Sequence, residues 1–242
     1  MPDAVITAGL IVIGDEILSG RTKDRNIGHV AEVLTSLGID LREVRIVPDI
    51  EAEIVAAVDA MRVRYSHVLT TGGIGPTHDD ITADSIAKAF GVAIDVDPRA
   101  AALLEARYGA AAMTEATLRM ARIPAGAALI LNSVSAAPGF SIGNVHVLAG
   151  VPPIMQAMLD DLAPRLGTAR RMLSRTVVFR VGESRIAAGL AAAQADFPEV
   201  LIGSYPSFDD QGYATQVVLR CRDEVLLARV ETVVVALRDA TA

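Results

Sequence analysis

Residues 70–82, Thr-Thr-Gly-Gly-Ile-Gly-Pro-Thr-His-Asp-Asp-Ile-Thr, combine groups that could do chemistry together. Gly72, Gly73 and Gly75 allow positive φ and a close approach of backbone to a ligand. Placed between the apolar Val68-Leu69 and a following helical pattern, such a turn offers successive N–H groups and a helix N-terminus to an anion. Asp79 and Asp80 would repel a phosphate by themselves, but suit one if a divalent metal lies between carboxylate and phosphate. The plain alternative is a tight turn whose solvated acids cap a helix. Two familiar phosphate motifs are absent. A Walker loop needs a lysine, and the only lysines are Lys23 and Lys88; the Gly-x-Gly-x-x-Gly fingerprint is interrupted by Pro76.

The chain that must position these groups has 242 residues, 52% hydrophobic but only 4% aromatic, with no Trp. Its core is therefore aliphatic, as in layered helix–sheet proteins with buried parallel strands. A formal charge of −7 argues against a nucleic-acid binder, which would carry a basic face. The single cysteine, Cys221, excludes an intrachain disulfide and alternates with Leu219 and Val217 as a core residue would. The start, Met1-Pro2-Asp3, lacks the basic flank of a signal peptide, and no run of 18 apolar residues suggests a membrane span. The cytoplasm is the expected compartment.

Periodicity gives a strand over 5–13, a helix over 26–37, a strand over 41–47 and a helix carrying Ile54, Val58, Met61 and Tyr65. A strand ends at Thr71, and the next helix shares a face of Ile81, Ser85, Ala89 and Phe90. Residues 98–122 read as helices divided near Gly109. Strands follow at 129–131, 139–142 and 145–148, the last two as a hairpin turning at Gly143-Asn144, and Pro152-Pro153 open a helix ending near Pro164. Repeated strand–helix units predict an α/β domain over residues 1–168, a mostly parallel sheet with helices on both faces. After a linker at 166–171, a small α+β domain occupies 172–242: strands 173–181, 201–205 and 214–221, a helix over 184–195, and a last helix with Leu226, Val230, Val233 and Leu237 on one stripe.

Ligands of parallel sheets sit at the carboxyl ends of the strands. Four polar loops follow expected strands: Gly14-Asp15-Glu16 with Ser19-Gly20, Pro48-Asp49, Gly72 to Asp80, and Gly150-Val151-Pro152. Taken singly, Asp15 and Glu16 read equally as solvated acids, and Asp49 as a helix cap. Arg21, Lys23 and Arg25 either offset phosphate charge or form a basic surface run. His78 is read as a solvent-facing loop histidine before a proton donor.

These segments, with Asn26, Ala137-Pro138-Gly139-Phe140 and the whole run Thr71 to Thr82, resemble the MoaB/Mog (molybdopterin-binding) domain family, and within it the N-terminal part of competence/damage-inducible protein A (CinA). Residues 181–186 and 203–207 are similar to its small KH-like middle domain, so the resemblance covers essentially the whole chain. The family's long form adds a nicotinamide mononucleotide deamidase domain; the sequence stops at Ala242, so that activity is not expected. Pro153-Ile154 stand where relatives usually carry Ser-Glu, removing an acid.

The resemblance implies catalytic roles for Asp49 and Asp80, the aspartates needed for adenylyl transfer in the molybdopterin enzymes; Asp80, with Asp79 or Asp49, would hold a divalent ion such as Mg²⁺ or Co²⁺. Gly72, Gly73, Gly75 and Thr77 would bind phosphate, and Asp15, Glu16, Ser19 and Asn26 the nucleoside or far phosphate. Gly14, Gly20, Thr71, Pro76, Pro138, Gly139, Gly150 and Pro152 complete the expected ligand-binding set. The implied activity is metal-dependent hydrolysis of a nucleotide pyrophosphate such as ADP-ribose. Molybdopterin binding or adenylyl transfer, and a non-catalytic ligand-binding scaffold, stand as alternatives. The expected partner is a nucleotide or pterin phosphate, with no nucleic acid and no membrane; the small domain lacks a Gly-x-x-Gly clamp. A homo-oligomer is expected.

Overall fold

The computed structural model describes residues 5–241. The signal-peptide reading, which rests on Met1 to Asp3, lies outside them. In chain order the elements are β1 (Thr7–Ile13), α1 (Asp15–Leu18), α2 (Asn26–Ser36), β2 (Asp40–Val47), α3 (Glu51–Arg62), β3 (His67–Thr71), α4 (Thr82–Phe90), β4 (Ile94–Val96), α5 (Pro98–Tyr108), α6 (Glu115–Arg119), β5 (Arg122–Pro124), β6 (Ala128–Ile130), β7 (Gly139–Ile142), β8 (Val145–Leu148), α7 (Pro152–Leu162), β9 (Leu173–Phe179), α8 (Glu183–Asp196), β10 (Leu201–Asp209), β11 (Gly212–Cys221) and α9 (Glu224–Thr241). They fall into two compact units, residues 1–169 and 170–242.

The first unit is built on a six-stranded sheet in the order β2-β1-β3-β8-β7-β6. Pairings β2–β1, β1–β3 and β3–β8 are parallel, and only β7 runs against the rest. One face of the sheet packs on Ile54, Val58 and Met61 of α3, Ile86 of α4 and Leu104 of α5. The other packs on Val30 and Leu34 of α2 and Met155, Leu159 and Leu162 of α7. The three-layer α/β expectation is therefore met. Leu10 and Ile11 of β1, which serve opposite faces, are both 0% exposed, which is why β1 reads as an unbroken apolar run. Each such side chain contributes about 1.5–3 kcal/mol of burial.

The second unit has the antiparallel sheet β10-β11-β9 with α8 and α9, around Phe179, Ile186, Val217, Leu219, Val230 and Val234. Cys221 is buried in this core. β10 runs four residues beyond the expected end at Tyr205. Pro206 conceals this in the sequence, and the edge position of β10 tolerates a residue with no N–H to donate. The buried stripe of α9 is Leu227, Val230 and Val234, while Val233 is 42% exposed. Of the expected stripe, Val230 is buried and Leu226 and Leu237 pack partly on the core, while Leu227 and Val234 take the deeper positions and Val233 faces out.

Other expectations were also displaced. Gly14-Asp15-Glu16, expected as loop, begins the single turn α1. Residues 98–122 hold more than helices: Arg122–Pro124 form β5, paired antiparallel with β4. Strands of three residues carry no readable period, and this pairing joins residues far apart in sequence. The buried face of α4 is Thr82, Ser85, Ile86 and Ala87; Ile81, Ala89 and Phe90 pack only partly. No helix among the described residues is long and apolar enough to cross a membrane.

Candidate functional site

Because β2, β1, β3 and β8 are neighbours and parallel, the loops that leave their carboxyl ends share one edge. The chain leaves β1 toward β2 on one side, while β3 lies on the other, so β1/β3 is where strand order reverses. Gly72 occupies that point. Its N–H donates to the Leu148 carbonyl at 3.1 Å, and its φ is 106°. A Cβ there would lie 2.2 Å from the Ile13 carbonyl oxygen. Gly73, at φ 67°, turns the chain back so that the Thr82 N–H reaches its carbonyl at 3.0 Å, while the Thr82 hydroxyl donates to Gly72 O at 3.0 Å. These bonds start α4 and hold the loop shut at its base. The N–H groups of Gly73, Ile74 and Gly75 meet no acceptor among the described residues.

Gly75 does not have positive φ. It is small for another reason: a Cβ would stand 2.7 Å from Oδ2 of Asp80. That oxygen accepts the Thr77 N–H at 2.8 Å and the Thr77 hydroxyl at 2.5 Å. Asp80 is consequently half-buried rather than the exposed acid the loop pattern suggests, with Oδ1 left over. Asp79, next to it, is exposed, with Nδ1 of the His78 ring 3.9 Å from its Oδ1. His78 is almost fully exposed, as read from the sequence.

Asp49 stands at the end of β2. Its Oδ2 accepts the Asp15 N–H at 3.0 Å, tying the β2 and β1 loops together. Burial pushes its pKa above the ordinary aspartate value, and the negative charges of Asp15, Glu16 and Asp79 push the same way. The Asp15 N–H opposes them.

These loops surround a cleft of about 570 Å³. Of the expected site residues, Gly14, Glu16 and Asp49 line it from the β1 and β2 loops. Gly72, Gly73, Gly75, Pro76, Asp79 and Asp80 line it from the β3 loop, and Gly150 and Pro152 from the β8 loop. The rest are not among its lining residues. Asp15 serves Asp49 through its backbone, and Thr77 serves Asp80. The Ser19 hydroxyl donates to Glu16 O at 3.3 Å, and Gly20 follows it. Asn26 is 4% exposed, with Nδ2 donating to Gly150 O at 2.8 Å. Thr71 is buried in β3 and Gly139 in β7. Pro138 lines a water-sized hollow beneath the glycine loop.

The cleft also takes in Arg21, Thr22, Ile74, Met120, Ser135, Ala137, Val151, Ile154 and Met158. Of these, Thr22, Met120, Ser135 and Met158 were not legible as site residues, since none belongs to a glycine-rich or charged motif. Ile154, the departure from the family's acid, gives an apolar wall. Among the described residues no three His, Cys, Asp or Glu side chains converge where they could hold a metal ion. A complete protein-made metal centre therefore does not fit; a cation here would need phosphate oxygens to finish its shell.

A three-layer α/β fold with a glycine loop and a cleft at its strand reversal places the first unit in the class of open α/β domains whose sites lie at the carboxyl edge of the sheet. Residues 9–168 match the family described as probable molybdopterin binding domain, and residues 171–241 match the FAD synthase middle domain. The chain belongs to the molybdopterin-binding domain family and is CinA-like. It is 34% identical over 209 residues to a CinA-like protein of Desulfosudis oleivorans, covering 81% of this chain but 51% of that one. A protein of Pyrobaculum calidifontis is 34% identical over 211 residues, 83% of this chain and 80% of its own. The crystal structure of a CinA protein of unknown function from Thermoplasma acidophilum shares 35% identity with a TM-score of 0.63, over 67% of this chain and 98% of that one.

Proposed function

We propose that the cleft hydrolyses a nucleotide pyrophosphate of the ADP-ribose type. The observation that carries this reading is the meeting of unpartnered Gly73, Ile74 and Gly75 amides with Asp49, Asp79 and Asp80 around one cavity. The amides take phosphate oxygens, where they stabilise charge that grows as phosphorus is attacked. Asp49, anchored by the Asp15 N–H, accepts a proton from the attacking water; a carboxylate with a raised pKa is a better base than a free one. The new bond joins water oxygen to phosphorus, and the bond from phosphorus to the bridging oxygen breaks. A divalent ion, such as Mg²⁺ or Co²⁺, would be held by Asp79 and Oδ1 of Asp80 together with the pyrophosphate, and would neutralise charge on it. Arg21 lines the cleft on the β1 side, where its charge would offset that of the phosphates.

A second reading, a pterin phosphate bound or adenylylated in the same cleft, is favoured by the apolar wall of Ala137, Val151, Ile154 and Met158. Incubation with ADP-ribose, FAD, NAD and ATP, with and without hydroxymethylpterin phosphate as acceptor and with Mg²⁺, Co²⁺ or chelator, separates them. Release of AMP from ADP-ribose supports hydrolysis. Transfer of AMP to a pterin phosphate with no release to water supports the second reading.

A further inference from the structure

Residues 131–138 join β6 to β7. Since β6 runs with β1 and β3 and β7 returns against them, this connection stands at the same edge as the glycine loop. It is tightly built around one side chain. Asn132 Oδ1 accepts the Val134 N–H at 3.1 Å, the Ser135 N–H at 2.7 Å and the Ser135 hydroxyl at 3.2 Å. Its Nδ2 donates to Ala137 O at 2.7 Å. The Tyr108 hydroxyl, arriving from α5, donates to Ser135 O at 2.8 Å. Between the two cleft-lining residues Ser135 and Ala137 sits Ala136, at φ 60°, the one non-glycine with positive φ among the described residues. A left-handed alanine costs stability and persists only where the surroundings over-determine it.

Strand order sorts the cleft by polarity. Asp49 and Glu16 lie at the β2 and β1 end and the glycine loop at β3. Val151 and Ile154 lie at β8, with Ser135 and Ala137 beyond it. Phosphate chemistry thus occupies one half, and an apolar wall with Met158 the other. The geometry points to residues 132–137 as a preformed wall for a flat heteroaromatic ring, purine or pterin, with Asn132 as its positioning residue. This rests on the phosphate reading of the glycine loop and adds where the ring of that ligand goes. A ring stacked on such a wall gains only if the wall is already in place, because ordering it on binding would cost affinity. The strain at Ala136 is the fold's cost for that order.

The test measures calorimetric affinity for AMP, hydroxymethylpterin phosphate and ribose 5-phosphate, which lacks a ring, in the full chain and in Ala136→Gly and Asn132→Ala. At least one ring-bearing probe should bind the unaltered protein about tenfold or more tighter than ribose 5-phosphate, the worth of one stacked base. Which one shows the source of the ring. In both variants that advantage should shrink by about fivefold or more while ribose 5-phosphate binding holds, since the loss is of pre-organisation at the ring only. Ala136→Gly should keep its Tm or raise it by about 1–3 °C, since glycine accepts positive φ; the loss of affinity is then not damage to the fold. Equal losses for ring-bearing and ring-free probes, or none, overturn the wall. If the unaltered protein binds ribose 5-phosphate as tightly as the ring-bearing probes, the wall falls and the phosphate cradle stands. If no probe binds, the phosphate reading fails and takes the wall with it.

Discussion

The carboxylate of Asp49 accepts the backbone N–H of Asp15 at 3.0 Å, so the acid after β2 is fixed by the first residue of the helix after β1. One hydrogen bond thereby sets the position of a group that burial and three neighbouring acids would rather see protonated. Asp49→Asn should lose about 100-fold in kcat, roughly 2.7 kcal/mol of transition-state stabilisation. The sign of its stability effect is opposite. A folded-state pKa raised above the unfolded value means folding binds a proton between the two, so stability falls as pH rises through that window. The neutral asparagine escapes this cost. Its Tm at pH 7 should equal or exceed that of the unaltered protein, which a thermal melt will show. A lower Tm would mean that Asp49 is structural.

The same raised pKa has a kinetic counterpart. As a base, Asp49 works only when deprotonated, so the acid limb of kcat/KM should turn at a pH above the usual aspartate value near 3.9. In Asp49→Asn that limb should vanish along with most of the activity. A limb that persists unshifted in the variant would assign it to another group.

Gly75 and Gly109 should separate site from scaffold. A methyl at Gly75 meets Oδ2 of Asp80 at 2.7 Å, displacing the carboxylate from Thr77 without straining the backbone. One at Gly109 meets nothing within 4 Å but sits at φ 83°. Gly75→Ala should weaken nucleotide binding, while Gly109→Ala should lower stability by about 1–2 kcal/mol and leave affinity alone. Calorimetry and thermal melts on the pair decide it; equal affinities would remove the loop's shape from the account.

Far from the cleft, His67 Nε2 donates to Leu166 O at 3.1 Å, which leaves its Nδ1 to accept from His146 Nε2 at 3.1 Å. Nδ1 of His146 then accepts the Ser141 hydroxyl at 2.9 Å, so both rings are neutral. Burial lowers both pKa values, that of His146 to about 3, helped by His67 and Arg165. A depressed folded-state pKa gives stability that is full above about pH 6.5. It is lost as pH falls from there toward about 3. Urea titrations should show a loss of up to about 1.4 kcal/mol per pH unit for each histidine. A flat profile over pH 4–6.5 would contradict the neutral pair.

What the sequence disclosed followed from local physics. The unbroken apolar run of β1, the amphipathic α3 and the glycine loop each announced themselves, and parallel order then brought four loops to one edge. What it hid was non-local. No pattern shows that Thr77 and Gly75 close around Asp80, that Asn26 faces the back of Gly150, or that β5 pairs with β4. Ser135 and Met120 enter the cleft only because a turn organised by Asn132 and the end of α6 happen to arrive there. Residues 1–169 form a compact unit with all these loops, and expressed alone should fold by circular dichroism and bind what the whole chain binds. A folded fragment that binds nothing would place part of the site elsewhere.

The most direct test of the glycine-loop site is the rate of AMP release from ADP-ribose with Mg²⁺ or Co²⁺, in the unaltered protein and in Asp80→Ala. The unaltered protein should release AMP and ribose 5-phosphate, and chelator should stop it. Asp80→Ala should be slower by at least about 100-fold while remaining folded, with a modest drop in Tm from the two lost Thr77 hydrogen bonds. Unaltered activity in Asp80→Ala, or no AMP release by the unaltered protein with either ion, would contradict hydrolysis at this loop.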